Sequence, residues 1–358
     1  VRAARSSLRN DRDQQKRNGG MNRSAIESCG RRLQRSVAAL ACVLFAALAV
    51  AQTPNPAGDY PKQPIRLIVA FPAGAGADLT ARTVAQKMGE SMGQPVVVEN
   101  RPGANGSVAA AAVAKSTPDG YTLLLADRGA FGINPHLYRQ PLYDPLKDFA
   151  YVSIVTWGSY VLVTNADVPA KTFADLVKLA KASPGKLNYA SFGVGSMPQL
   201  NLEALNRAAG MSVTHVPYKG GAPAATAVAA HEVDMTLATA PSVIGFVHDN
   251  RMRALVVGST RRSPLLPHVP TVGEVGIGPD VLLPTYFGIA APAGTPPAIV
   301  AKLQAEIRRA LAQPDVADRL VKAGLDPHGG SPEEMAQTVR SDVARFGALV
   351  KEIGIQAE

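Results

Sequence analysis

From Tyr60 onward, short apolar runs alternate with stretches of helical spacing. Strand-like runs fall at 65–70, 95–99, 121–126, 151–155, 160–164, 187–190, 213–216, 233–238, 253–258 and 285–290. Between them, 78–92, 106–115, 172–182, 198–209 and 222–230 read as helices; in 78–92, Ala81, Val84, Ala85, Met88 and Met92 share one face, the stripe of a helix packed on a core. This alternation is the signature of an α/β fold with largely parallel sheets. The C-terminal region differs: 296–312 and 332–353 read as two longer amphipathic helices, with no strand between them beyond Leu325-Asp-Pro, and they pack back on an earlier domain. Ten strands are many for one doubly wound sheet of this size, so the pattern predicts two lobes with a cleft between them. The chain crosses near Trp157–Tyr160 and returns near Thr285–Ala290, giving 59–157 plus 284–358 as one lobe and 158–283 as the other. Two crossings make a hinge.

Charge changes the picture at the N-terminus. The 358-residue chain carries a formal net charge of +9, and residues 1–51 hold seven of those nine charges. The remainder is nearly neutral, which removes the main support for nucleic acid as a partner. The basic segment leads into an apolar run at Val37–Val50 and an Ala49-Val50-Ala51 site, the layout of a secretory signal peptide cleaved after Ala51. The run is shorter than the roughly 20 residues of a membrane span. Met21 would start a leader of ordinary length, making 1–20 a start-site extension. Both cysteines, Cys29 and Cys42, lie in this leader, so the exported chain has no disulfide, thiol nucleophile or thiolate metal site.

Phe71-Pro-Ala-Gly-Ala-Gly-Ala-Asp-Leu-Thr-Ala-Arg82 joins the first strand to the first helix. It is not a dinucleotide fingerprint, because Leu79 stands where the third glycine belongs, and it lacks the Gly-Lys-Ser/Thr of a P-loop. Glycines between strand and helix still turn the backbone sharply and point free N–H groups at an anion, assisted by the helix dipole. Asp78 sits where its carboxylate can cap first-turn N–H groups. Ser191-Phe-Gly-Val-Gly-Ser-Met-Pro198 repeats the arrangement, Val216-Pro-Tyr-Lys-Gly-Gly-Ala-Pro223 adds the charge of Lys219, and Thr239-Ala240-Pro-Ser242 is a fourth case. Loops at the carboxyl ends of strands face the ligand crevice of open α/β sheets, so they can converge as an anion-binding cleft; taken singly, each is a tight turn.

Catalytic patterns fail. Gly195-Ser196-Met197 closes on Pro198 rather than glycine, so it is no nucleophile elbow. His231-Glu232-Val233-Asp234-Met235 lacks a second histidine, and the six histidines have no metal-ligand spacing. No catalytic residue, metal site or cofactor is expected, and the chain is read as no enzyme.

Taken in order, these motifs resemble the Bug/TctC family of periplasmic solute receptors of tripartite tricarboxylate transporters. The resemblance spans roughly 59–355 and rests on FPAGAGADLTAR, Glu99-Asn-Arg-Pro-Gly-Ala-Asn-Gly106, Pro118-Asp-Gly-Tyr-Thr-Leu-Leu124, Tyr143-Asp-Pro-Leu-Lys-Asp-Phe149, Val216-Pro-Tyr-Lys-Gly220, Val269-Pro-Thr-Val272 and Gly288-Ile-Ala-Ala-Pro-Ala-Gly-Thr-Pro296. It implies a type II, Venus-flytrap binding protein, a periplasmic monomer closing on a small carboxylate and handing it to membrane transporter subunits. Carried over by position, Phe71, Gly74, Gly76 and Asp78 belong to the first gripping loop, Ser191, Gly193, Gly195 and Ser196 to the second, and Lys219 and Gly220 to the third. Ala75 and Ala77 depart from the first loop's pattern, Asp127-Arg128 stands where small or amide residues are common, and Gln199 where histidine is expected. Arg128 is the expected partner of a second carboxylate, through a bidentate pair; an outward-facing arginine is the alternative. A receptor acting through a sensor kinase, and a periplasmic enzyme on the same scaffold, are the competing functions.

Overall fold

The computed structural model describes residues 58–278 and 281–355; the expected leader, residues 1–51, lies outside them. One sheet is built from β1 (Ile65–Val69), β2 (Val96–Asn100), β3 (Thr122–Asp127), β4 (Phe149–Gly158), β10 (Thr285–Pro292) and β11 (Leu325–Pro327), in the order β11-β4-β10-β3-β1-β2. The other contains β5 (Tyr160–Asn165), β6 (Asn188–Ser191), β7 (Thr214–Pro217), β8 (Met235–Thr239) and β9 (Met252–Val257), in the order β7-β6-β8-β5-β9. Only Ser159 separates β4 from β5, so the chain passes directly from one sheet to the other, and β10 brings it back. These crossings make both sheets mixed rather than largely parallel. β10 runs antiparallel to β3 and β4, and β5 antiparallel to β8 and β9, while β1 with β2 and β3, and β6 with β7 and β8, are parallel.

Helices cover the sheets: α1 (Gly76–Met92), α2 (Ser107–Ala114), the single turn α3 (Asn134–Leu137) after a π-turn at Gly129–Ile133, α4 (Phe173–Ala182), α5 (Met197–Ala209), α6 (Gly221–Ala229), α7 (Ala240–His248), α8 (Pro297–Leu311), α9 (Pro314–Val321) and α10 (Pro332–Ile353). The stripe read in the first helix is core: Ala81, Val84, Ala85 and Met88 are buried against the first sheet. Gly93 ends that helix in the left-handed region at φ 69°, the conformation a helix C-terminus takes most readily with glycine. The helices α3, α7 and α9 are not evident in the sequence. Ala240 follows Thr239 of β8 with no residue between, and Pro241 falls in the first turn, so the segment reads as a loop. β4 is longer than its apolar run because its ends are held by pairing, Phe149 opposite Pro292 and Gly158 opposite Thr285.

The last helix belongs to neither sheet alone. Its Met335 and Val339 join the core around the first sheet, while Phe346 and Val350 join the core around Leu162, Tyr189 and Leu200 of the second. Ile133 and Leu137 also pack there, although the chain around them feeds the first sheet. The packing boundary therefore departs from a clean division at 157/158 and 283/284: one turn and the end of one helix reach across it.

Candidate ligand-binding cleft

Five helices, α1, α2, α5, α6 and α7, begin just after the carboxyl ends of β1, β2, β6, β7 and β8. None carries a side-chain cap, whereas α4 has a full Thr172–Asp175 capping box and α10 is capped by Ser331. Uncapped first turns leave N–H groups and the positive end of the helix dipole for an anion.

The two sheets' loops meet. A Cβ on Gly76 would lie 2.9 Å from the Phe287 ring and 3.1 Å from Thr239 Oγ1; one on Gly220 would lie 2.7 Å from Pro72, and one on Gly195 would overlap the Leu137 side chain. Gly195 and Gly220 also have φ of 75° and 135°, so both sterics and backbone demand glycine there. Asn105, buried at φ 50°, donates to Asn134 Oδ1 at 2.8 Å and to the Gly195 carbonyl at 3.2 Å, tying the Glu99–Gly106 motif to the Ser191–Ser196 loop. Between these contacts lies a cavity of about 290 Å³, lined by Phe71, Pro102–Gly106, Tyr138, Phe192, Gly193, Val194, Tyr218 and Lys219 among others. Lys219 is its sole charged lining residue and has no ion-pair partner among the described residues.

Two hydroxyls stand out. Ser196 occupies the N-cap of α5 yet caps nothing, and its Oγ is buried without a hydrogen-bond partner. Ser242, in the first turn of α7, has a buried Oγ in the same condition, 3.3 Å from where a Gly221 Cβ would be. Buried hydroxyls are nearly always paired; Thr83, Thr164 and Tyr286 share this condition, but among the described residues only Ser196 and Ser242 combine it with a place at the start of a helix.

The other expected site residues divide by what already holds them. Asp78 is third in α1 and accepts from Gly74 N–H at 3.2 Å, Arg82 Nε at 3.0 Å and Asn100 Nδ2 at 3.0 Å. Burial opposes its charge, but those three donors hold its carboxyl below the usual range. It shapes the first loop, with Ala75 at the N-cap and Ala77 buried beneath, and presents no free oxygen to a guest. In the second loop, Gly195 N–H donates to Gln199 Oε1 at 2.6 Å and Gly193 N–H to Ser191 Oγ at 3.1 Å, so these two amides are committed inside the loop. Ser191 Oγ in turn lies 2.6 Å from His215 Nε2. Ala240 lines a different cavity, of about 460 Å³, at the crossing strands with Trp157, Gly258, Gly324 and Asp326.

Arg128 departs furthest from expectation. Its Nε donates to Asp342 Oδ2 at 2.9 Å and its Nη1 to the Pro284 carbonyl at 2.7 Å, and its guanidinium lies 5.7 Å from the Trp157 and Tyr286 rings and 5.9 Å from Phe346. At 11% side-chain exposure it neither lines the cleft cavity nor faces outward; it pins the crossing strands to the helix that spans both cores. Asn105, Tyr138 and Phe287 were not singled out as site residues in the sequence, and Thr239 and Ser242 entered only as the ends of the fourth loop. Asn105 carried a signal too, inside a Gly-Ala-Asn-Gly run; Tyr138 and Phe287 carried none.

Two α/β lobes joined by crossing strands, with facing glycine loops and uncapped helix N-termini, define a two-lobed periplasmic binding protein. Among the described residues no helix is long and apolar enough to cross a membrane, and no cluster of metal-binding side chains occurs. Residues 80–355 match the family described as tripartite tricarboxylate transporter family receptor, and the chain belongs to it. It is 37% identical to the UPF0065 protein in the tcbD-tcbE intergenic region of a Pseudomonas species over 298 residues, 83% of this chain and 88% of that one. The BugT protein of Bordetella pertussis is 34% identical over 312 residues, 87% of this chain and 95% of that one. Among solved structures, R. palustris Rpa4515 with adipate superposes with a TM-score of 0.80 at 33% identity, covering 83% of this chain and 99% of that one. MatC of Rhodopseudomonas palustris with bound malate gives 0.76 at 32% identity, covering 81% and 100%.

Proposed function

We propose that this protein is a periplasmic receptor that captures a small dicarboxylate between its lobes and delivers it to the membrane subunits of a tripartite tricarboxylate-type transporter. The observation that carries this is the meeting of glycine loops from both sheets at uncapped helix starts, Gly76 beside Thr239 and Gly220 beside Pro72, with the buried, unpartnered hydroxyls of Ser196 and Ser242 at two helix starts of the second sheet. Uncapped helix starts with a free hydroxyl suit one carboxylate, and Lys219 at the cavity wall suits a second. Adipate and malate, bound by the two Rhodopseudomonas palustris relatives, are dicarboxylates and support this class of ligand. The protein acts as an exported monomer, with residues 1–51 removed, which the mass of the mature N-terminal peptide reports.

The enzyme reading has one observation to answer, the 2.6 Å approach of Ser191 Oγ to His215 Nε2. A nucleophile needs an exposed oxygen and a base oriented by an acceptor. Ser191 is fully buried, and His215 Nδ1 faces the amide nitrogen of Gln199. This pair is a brace.

Calorimetric titration of the mature protein with adipate, malate, hexanoate and a neutral sugar tests the proposal, with recovery of the acid to establish that it is chemically unchanged. Micromolar binding of a dicarboxylate is expected; binding of the sugar alone would sink the reading. Co-purification with the two membrane subunits rather than a sensor kinase distinguishes transport from signalling.

A further inference from the structure

The second gripping loop is held by a set of side chains whose hydrogen bonds can be assigned a direction. Gly195 N–H has one acceptor, Gln199 Oε1 at 2.6 Å, which fixes the amide of this buried glutamine oxygen-first toward the loop. Its Nε2 then faces His215 Nδ1 at 3.2 Å as a donor, so Nδ1 must carry a lone pair. A neutral imidazole with a bare Nδ1 has its proton on Nε2, and Nε2 lies 2.6 Å from Ser191 Oγ. Ser191 Oγ thereby accepts from His215 and from Gly193 N–H at 3.1 Å, and its own proton goes to the Gly193 carbonyl at 3.1 Å. Each link from Gly195 to Gly193 pairs one donor with one acceptor.

We propose that Gln199 and His215 are positioning residues of the ligand cleft: with Ser191 they form a one-directional hydrogen-bond chain from Gly195 N–H to the Gly193 carbonyl. The chain sets the loop that presents Ser196, works with only one histidine tautomer, and breaks when the imidazole is protonated. A proton on Nδ1 would face the glutamine NH₂, donor against donor. Turning the glutamine to accept from it would put NH₂ against Gly195 N–H instead. The sequence gives no hint of this, since Gln199 stands where the family resemblance leads one to expect histidine.

The surroundings favour the neutral ring. Tyr189 of β6 stacks on His215 with ring centroids 5.0 Å apart and donates its hydroxyl to Glu203 of α5 at 2.6 Å, so the carboxylate of that helix is engaged elsewhere. Asp234, just before β8, accepts from Asn188 N–H. No ion pair to His215 occurs among the described residues, and burial pushes its pKa down to about 4.

The consequence for binding rests on the carboxylate reading above; the chain itself does not, and its test needs no ligand. In mature protein labelled with ¹⁵N at histidine, the His215 ring nitrogens should report a bare Nδ1 and a protonated Nε2 at pH 7. The Gly193 and Gly195 amide resonances should shift with the same midpoint as the imidazole on acidification. Gln199→Leu should accelerate Gly195 amide exchange about tenfold and weaken adipate binding by a similar factor. Gln199→Glu should restore the protection, because a carboxylate accepts from both Gly195 N–H and a protonated Nδ1, and should raise the His215 midpoint by more than about one unit. The opposite tautomer, or Gly195 exchange unchanged in Gln199→Leu, overturns the proposal. If the wild-type protein ignores adipate, the ligand reading fails, and the tautomer and exchange readouts still decide the chain.

Discussion

Replacing Arg128 by methionine separates two roles the residue could play. The substitution keeps most of the side chain's volume but leaves the Asp342 carboxylate, 4% exposed, without its 2.9 Å partner, and the Pro284 carbonyl without its 2.7 Å donor. Breaking a buried ion pair on one side typically costs about 3–5 kcal/mol, mostly from the charge left behind. For a body of this size, each kcal/mol moves Tm by roughly 2–4 °C, so thermal unfolding should fall by about 6–20 °C. Burial already holds the Asp342 carboxyl above its ordinary range, with Arg128 pulling the other way. Without the arginine it should rise further, so that protonation relieves the cost and the deficit narrows as pH falls from 7 toward 5. Adding Asp342→Leu should recover most of the loss, because an apolar pair of similar volume replaces the ion pair at little net cost. Calorimetric unfolding of the wild type, Arg128→Met and the double variant at both pH values, beside adipate titrations, is the assay. A single variant with wild-type stability and a selective loss of dicarboxylate affinity would refute the hinge assignment and return Arg128 to the cleft.

Ser196→Ala and Ser242→Ala should each leave stability unchanged or up to about 1 kcal/mol higher, since each removes a buried hydroxyl that has no partner; each should weaken adipate binding about fivefold to tenfold, and a large loss of stability would show the hydroxyls to be structural. Lys219→Ala should weaken adipate several-fold at low salt, little at high salt, and hexanoate not at all, because an exposed cation acts through a screened attraction worth about 1 kcal/mol or less; equal effects on both acids would exclude it as the second-carboxylate partner. Because the folded pKa of His215, about 4, lies below the ordinary 6.5, its stabilisation is complete above pH 6.5 and is lost as pH falls toward 4. Discounted for the ring's partial exposure, about 1–2 kcal/mol is at stake, and urea unfolding at pH 7 and 4.5 should show a smaller drop in His215→Phe.

Sheets, most helices and the two crossings were legible because apolar periodicity reports burial, and burial here follows the elements: β1, with four of its five residues buried, reads as a buried strand in any context. The glycine loops were legible as turns between strand and helix. What the sequence could not convey is which polar groups were already spent. Gly193 and Gly195 look alike as free N–H donors, yet both are held by side chains, from Ser191 two residues away and from Gln199 four residues away. Arg128 looked available because Asp342 lies 214 positions further on. The converse holds for Ser196, whose value comes from making no bond where a serine ordinarily caps its helix.

That missing bond bears on how capture could be coupled to closure. A hydroxyl buried without a partner costs about 1–3 kcal/mol, and Ser196 and Ser242, at the starts of two helices of the second sheet, each carry that cost. An anion that accepts from such a hydroxyl and from uncapped N–H groups offsets that cost, and a population shift requires a differential affinity of this kind. The same logic explains why the loop must be rigid. The chain through Gln199, His215 and Ser191 keeps the Gly193 and Gly195 amides occupied, so neither turns its N–H to meet the Ser196 hydroxyl.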